Sequence, residues 1–100
     1  MFSDPIKDVK VETSTNPAIE GRPYLLICNV TGPAEHVYWI KNGEPLHADN
    51  RNVFHKDNKT VSFKPLERND TGYYRCVAIN PVGKMTSPAY LLRVNCEYNI

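Results

Sequence analysis

Apolar residues in this chain recur at every second position over short stretches, and no stretch holds a helical period. Read as extended chain, Tyr24, Leu26, Cys28 and Val30 share one face. So do Val37, Trp39 and Lys41, and so do Tyr74, Cys76 and Ala78. These sets hold two of the cysteines and the single Trp, so they are assigned to the core, apart from Lys41 at its strand end. Turn-forming clusters punctuate the runs: Asn16-Pro17, Gly21-Arg22-Pro23, Thr31-Gly32-Pro33, Lys41-Asn42-Gly43, Lys56-Asp57-Asn58-Lys59, Arg68-Asn69-Asp70 and Asn80-Pro81-Val82-Gly83. The pattern predicts strands near 6–12, 24–30, 36–41, 53–55, 60–64, 72–79 and 84–94. It predicts an all-β fold, a sandwich or a barrel of antiparallel strands.

A chain of 100 residues with 41 % apolar content is enough for one packed core and not for two. The expected domain spans 6–95, with a loose N-terminal segment 1–5 and a tail 96–100. Net charge is +1 and the Lys and Arg residues are scattered, which argues against nucleic acid as a partner. No apolar run approaches the ~20 residues of a membrane-spanning helix. Met1-Phe2-Ser3 reads as an expression start on an excised fragment, so a signal peptide, an anchor or neighbouring domains would lie outside this sequence.

Three cysteines change the picture: Cys28, Cys76 and Cys96. An odd count implies one pair and one left over. Cys28 and Cys76 lie in separate strand-like runs, each pointing inward, which suits a bridge across a sandwich. Cys96 follows the last run and is the odd one out. A bridge of this kind implies an oxidising compartment, extracellular or luminal. Trp39 comes one turn and one strand after Cys28, on the neighbouring sheet, where it can pack on the bridge. In Asp70-Thr-Gly72-Tyr-Tyr74-Arg-Cys76 a Tyr stands two residues before the second Cys, the tyrosine-corner arrangement. Its hydroxyl is expected to satisfy backbone at that corner, with Gly72 allowing a tight turn.

Together these residues resemble the immunoglobulin superfamily, and within it the I-set. The resemblance is carried by Glu20-Gly21, Leu26-Ile-Cys28, Gly32-Pro33, Trp39-Ile-Lys41-Asn42-Gly43, Leu46 and the run from Asp70 to Gly83. It implies a Greek-key sandwich of two antiparallel sheets. The span between Trp39 and Cys76 is too short for the C″ strand of a variable-type domain. Asp4-Pro5-Ile6 and Asn80-Pro81-Val82 are similar to the non-terminal domains of carcinoembryonic-antigen-related and hepatocyte-type cell adhesion molecules. The resemblance also implies an ion pair from an Arg at the start of the fourth strand, here Arg51, to Asp70, with Arg68 as the rival partner.

Two further sets of residues bear on function. Asn29-Val-Thr31, Asn58-Lys-Thr60 and Asn69-Asp-Thr71 are N-glycosylation sequons, each at a turn or an outward position. The same alternation that turns Trp39 and Cys76 inward turns Tyr38, Ile40, Tyr73, Arg75, Val77 and Ile79 outward, with Leu91 expected to follow. A sheet face open to water is normally polar, so this apolar one reads as a contact surface. No sequon falls on that sheet, C–F–G in the resembling family. His36, His47 and His55 have no metal-ligand spacing, and no nucleophile elbow or phosphate loop occurs. The expectation is a non-catalytic, extracellular protein-binding module of an adhesion molecule, with no cofactor and no small-molecule substrate. Its partner would be the same or a related cell-surface protein, including weak homodimers. The alternatives are a ligand-binding receptor ectodomain and an intracellular structural I-set module.

Overall fold

In the computed structural model of the chain, residues 4–15, 17–49 and 51–96 are described. The readings placed on Met1-Phe2-Ser3, on Asn16 of the first turn and on residues 97–100 of the tail lie outside them. The alternating runs form strands β1 (Asp8–Glu12), β2 (Tyr24–Thr31), β3 (His36–Lys41), β4 (Glu44–Pro45), β5 (Asn52–His55), β6 (Thr60–Phe63), β7 (Gly72–Asn80), β8 (Gly83–Thr86) and β9 (Tyr90–Leu92). One antiparallel sheet has the order β1-β2-β6-β5. The other runs β4-β3-β7-β8, with β9 also paired to β7. The fold is therefore an all-β sandwich, with no C″ strand among the described residues.

Between the sheets lies one buried cluster that includes Leu26, Cys28, Val37, Trp39, Val61, Phe63, Tyr74 and Cys76. The Phe63 ring stands edge-on to Tyr74, with centroids 6.0 Å apart, and tilted to Tyr24 at 6.4 Å. Such geometries set the electropositive ring edge against a neighbour's face. The Tyr24 and Tyr90 hydroxyls meet at 3.2 Å.

These buried phenols give a pH signature. Burial drives the Tyr74 hydroxyl far above the ordinary range. Burial and the Tyr24 contact push Tyr90 up to about 12. A phenol whose folded pKa is raised stabilises the fold below its unfolded pKa of about 10. That contribution disappears as pH climbs through the folded value. Absorbance titration at 295 nm should therefore show these two tyrosines ionising only together with alkaline unfolding, above about pH 11. Ionisation of both near pH 10 with native near-UV dichroism intact would contradict the placement.

The last predicted strand, 84–94, is split in two. Val77 is opposite Thr86, whereas Tyr74 is opposite Tyr90. Arg75 and Cys76 thus face three residues, Ser87 to Ala89, and the extra residue makes a β-bulge. Pro88 has no N–H to give the ladder, and Ser87 compensates. Its N–H donates to Cys76 O at 2.9 Å, and its hydroxyl accepts from Cys76 N–H at 3.0 Å. Strand β4, the short partner of β3, is an addition to the predicted strands, as is a parallel bridge between Ile19 and Asn95.

Gly72 has a role other than the expected turn. It starts β7 outside the left-handed region, and a Cβ there would lie 2.9 Å from Asn42 Oδ1. That oxygen accepts from Tyr73 N–H at 2.9 Å, so the glycine admits the Asn42 amide. At the other end, buried Asn80 uses every polar position of its side chain. Its Nδ2 donates to Asp4 O at 2.9 Å and Pro33 O at 2.8 Å. Its Oδ1 accepts from Val82 N–H at 2.9 Å and Gly83 N–H at 3.1 Å. One side chain thereby ties the β7–β8 turn, the β2–β3 turn and the entering chain together.

Candidate functional site

The frame under the outer surfaces is built from inward residues. Cys28 and Cys76 are joined as a disulfide between the sheets, with Cα atoms 6.0 Å apart. Trp39 is opposite Cys76 in the β3–β7 register and is 1 % exposed. Its indole N–H donates to Asn58 O at 2.7 Å, so the largest core side chain also anchors the β5–β6 connection. Asn58 adopts φ +67° there, at the end of a left-handed run begun by Lys56 and Asp57. At the β6–β7 corner the buried Tyr74 hydroxyl donates to Asp70 O at 2.5 Å.

Beside that corner Arg51 clamps Asp70 with two bonds, Nη1 to Oδ2 at 2.8 Å and Nη2 to Oδ1 at 3.3 Å. Asp70 Oδ2 also accepts from Glu67 N–H at 2.7 Å, closing the short 3-10 turn Arg68–Asp70. The bonds to Asp70 hold the Arg51 guanidinium even more firmly protonated than usual. The rival, Arg68, points to solvent and pairs with Glu20 at 3.4 Å. Its Nη2 reaches Cys96 Sγ at 2.9 Å. Cys96 is a free, half-buried thiol.

The three sequon asparagines are all exposed but differ in freedom. Asn29, on the outer face of β2, donates from Nδ2 to Glu12 at 3.1 Å. Asn58 Nδ2, the atom that would carry sugar, already reaches Val37 O at 3.4 Å. Asn69 lies in the 3-10 turn, where its carbonyl accepts from Lys41 Nζ.

On the outer face of the second sheet, Tyr73 is 57 % exposed, Leu91 42 % and Tyr38 40 %. Tyr73 and Leu91 are direct neighbours in the β7–β9 register. Arg75 is exposed, and its Nη1 donates to Ser87 O at 3.1 Å. Ile40 and Ile79 are half-buried. Val77 corrects the expectation for this face: it is outside the core cluster, yet only 1 % exposed. It occupies the central strand, paired to Tyr38 on β3 and to Thr86 on β8, where a side chain has neighbours on both sides and water reaches it less than at a sheet edge. Alternation reports direction, not cover. A charge at Val77 would be buried, so Val77→Glu tests folding rather than binding. One exposed apolar residue, Val53, lies on the opposite sheet at 43 % exposure.

Residues 2–92 match the family described as Immunoglobulin I-set domain. HEPACAM family member 2 of Bos taurus is 37 % identical over 82 residues, covering 72 % of this chain and 17 % of that protein. Titin of Drosophila melanogaster is 31 % identical over 94 residues, covering 92 % of this chain and, rounded, 0 % of titin. The crystal structure of murine CEACAM1b superposes with a TM-score of 0.78 at 20 % identity, over 93 % of this chain and 46 % of that one. The chain therefore spans only a small part of the curated relatives it matches, and it belongs to the immunoglobulin I-set family.

Proposed function

We propose that this domain is a non-catalytic, extracellular binding module of a cell-adhesion protein, and that it contacts its partner through the outer face of β3, β7 and β9. The observation that carries this reading is the exposed pair Tyr73 and Leu91, with Tyr38 and Arg75 on the same sheet. Tyr and Arg bury large amphipathic surfaces and are enriched at binding hot spots. Ile40 and Ile79 would form the apolar floor. The sequons support the same face: Asn29 and Asn58 belong to the opposite sheet and its β5–β6 connection, and Asn69 to one end. Sugars there would leave β3, β7 and β9 uncovered. The partner is a second copy or a related cell-surface protein. The likeness to hepatocyte-type and carcinoembryonic-antigen-related adhesion molecules favours that class.

Beads coated with the domain test this directly. Wild-type domain should aggregate beads bearing itself or the related surface protein, and sedimentation should give the affinity. Tyr73→Ala should weaken the interaction at least about tenfold while leaving the melting temperature within a degree or so. Unchanged binding by Tyr73→Ala and Tyr38→Ala would remove this face from the proposal. The likeness to titin favours a second reading, an intracellular structural module. Mass spectrometry of protein from its native source separates the two, since that reading requires reduced Cys28 and Cys76 and bare sequons.

A further inference from the structure

The sheet of β4, β3, β7, β8 and β9 carries the charges of its outer face in one sign. Alternation divides its residues into an inward set, with Trp39 and Cys76 in the core, and an outward set. The charged outward residues are Arg75 on β7 and Lys84 on β8, where Lys84 is opposite outward Ile79. Arg93 follows two residues after outward Leu91. All three are exposed. Four residues separate their successive rows along the sheet, about 13 Å at each step. Glu44 is the one Asp or Glu within these strands. It is opposite Lys41, which shares its face with inward Trp39. The ion pairs of Lys10, Arg51 and Arg68 lie elsewhere, and among the described residues no carboxylate pairs with Arg75, Lys84 or Arg93. Arg75 donates to Ser87 O, a neutral acceptor that leaves its charge in place.

This charge bears on the choice of partner. A closed dimer on this face sets the same patch of both copies into one interface. The cations of each copy would meet no carboxylate among the outward positions of the other, and like charges brought together in an interface cost affinity and slow encounter. An acidic partner reverses the sign of both effects. Its carboxylates steer the approach, and the two arginines can grip them with paired N–H donors. Exposed Tyr73 and Leu91 lie side by side between the rows of Arg75 and Arg93. A polyanion supplies charge but no apolar surface to bury them, whereas a protein face supplies both. We infer that this face is built for a protein whose own face carries Asp and Glu around an apolar centre, and that the partner is therefore not a second copy. The inference rests on the contact face proposed above, and of the partners named there it selects the related protein.

The test uses a defined acidic partner made from the domain itself. Arg75→Glu, Lys84→Glu and Arg93→Glu together turn the face acidic and keep Tyr38, Tyr73 and Leu91. All proteins carry Cys96→Ser, which prevents disulfide dimers. In sedimentation at low salt, wild type mixed with the reversed domain should associate at least about tenfold more tightly than wild type with itself. The gain should fade at about 0.5 M salt and disappear when both chains carry Tyr73→Ala. Because Arg75→Glu also removes the bond to Ser87 O, melting temperatures are compared, and Lys84→Glu with Arg93→Glu alone should keep part of the gain. Lys10→Glu, Lys56→Glu and Lys64→Glu together make the same charge change on the other sheet and its β5–β6 connection, and should give none. Three results would each overturn the inference. One is a folded reversed domain that shows no gain. Another is an equal gain from the control reversal, or an equal affinity of wild type for hexaglutamate, either of which would mean that charge alone is read. The third is self-association of wild type as tight as the mixed pair, which would make the partner a second copy. In that third case the contact face itself would stand if Tyr73→Ala still weakened the association, and would fall with the inference if it did not.

Discussion

Replacing both Cys28 and Cys76 with alanine, in a Cys96→Ser background, is expected to cost about 4 kcal/mol of folding free energy. The bond closes a loop of 48 positions, and loop-closure entropy removed from the unfolded chain grows with the logarithm of that length. Cys76 is also fully buried and Cys28 nearly so, so losing the sulfurs opens space in the core beside Trp39, the register partner of Cys76. For a domain of this size each kcal/mol shifts the melting temperature by roughly 4–8 °C. The double variant should therefore melt some 15–30 °C lower, or fail to fold at 37 °C. The Cys96→Ser background matters because a single Cys28→Ala change would leave two free thiols able to form a non-native bond. Denaturant titration with intrinsic Trp fluorescence reads the loss. A cost below about 1 kcal/mol would mean that the bridge is not a main support of the sandwich.

Breaking the Arg51–Asp70 clamp should be nearly as costly. The Asp70 side chain is 4 % exposed, Arg51 22 %. Truncating Arg51 to Met keeps the aliphatic stem but leaves a buried carboxylate facing only Glu67 N–H. Removing one partner of a buried pair costs about 3–5 kcal/mol, because the remaining charge has lost its compensation. Arg51 is partly exposed, so about 3 kcal/mol is expected for Arg51→Met, at the lower end of that range. Arg68 supplies the control. It forms its ion pair with Glu20 in solvent, at side-chain exposures of 73 % and 40 %, and Arg68→Met should leave the denaturation midpoint nearly unchanged. Chemical denaturation of both variants checks the contrast. Equal losses would show that the corner depends on general charge rather than on the clamp.

The two variants also mark where reading the chain works. Arg51 and Asp70 are 19 positions apart, and no periodicity connects them. The resemblance to a family supplied their pairing, whereas alternation alone was enough to assign Tyr24, Leu26, Cys28, Trp39, Tyr74 and Cys76 to the core. Alternation succeeds there because a strand has a period of two and one buried face, so one misplaced residue would reverse a whole run. It also placed Tyr38, Tyr73, Arg75 and Leu91 on the outer surface, where the structure leaves each of them exposed.

By itself, then, the sequence determined most of the strands and the turns between them, the inward set and the family, but not the short β4 or the break between β8 and β9. These depend on local backbone preference and on period, which neighbouring residues in the chain express. The tertiary structure alone decided how much of each outward residue water reaches. Val77 is 1 % exposed between Tyr38 and Thr86, which come from other strands, and outward Ser62 is 2 % exposed between Leu25 and Val53. It also decided what long-range polar groups do. Asn80 binds Asp4 and Pro33 across the end of the sandwich, Asn42 needs Gly72 to make room, and Ser87 restores the ladder that Pro88 interrupts. Exposure and hydrogen bonding of this kind are properties of packed surfaces from several strands, and no single stretch of chain encodes them.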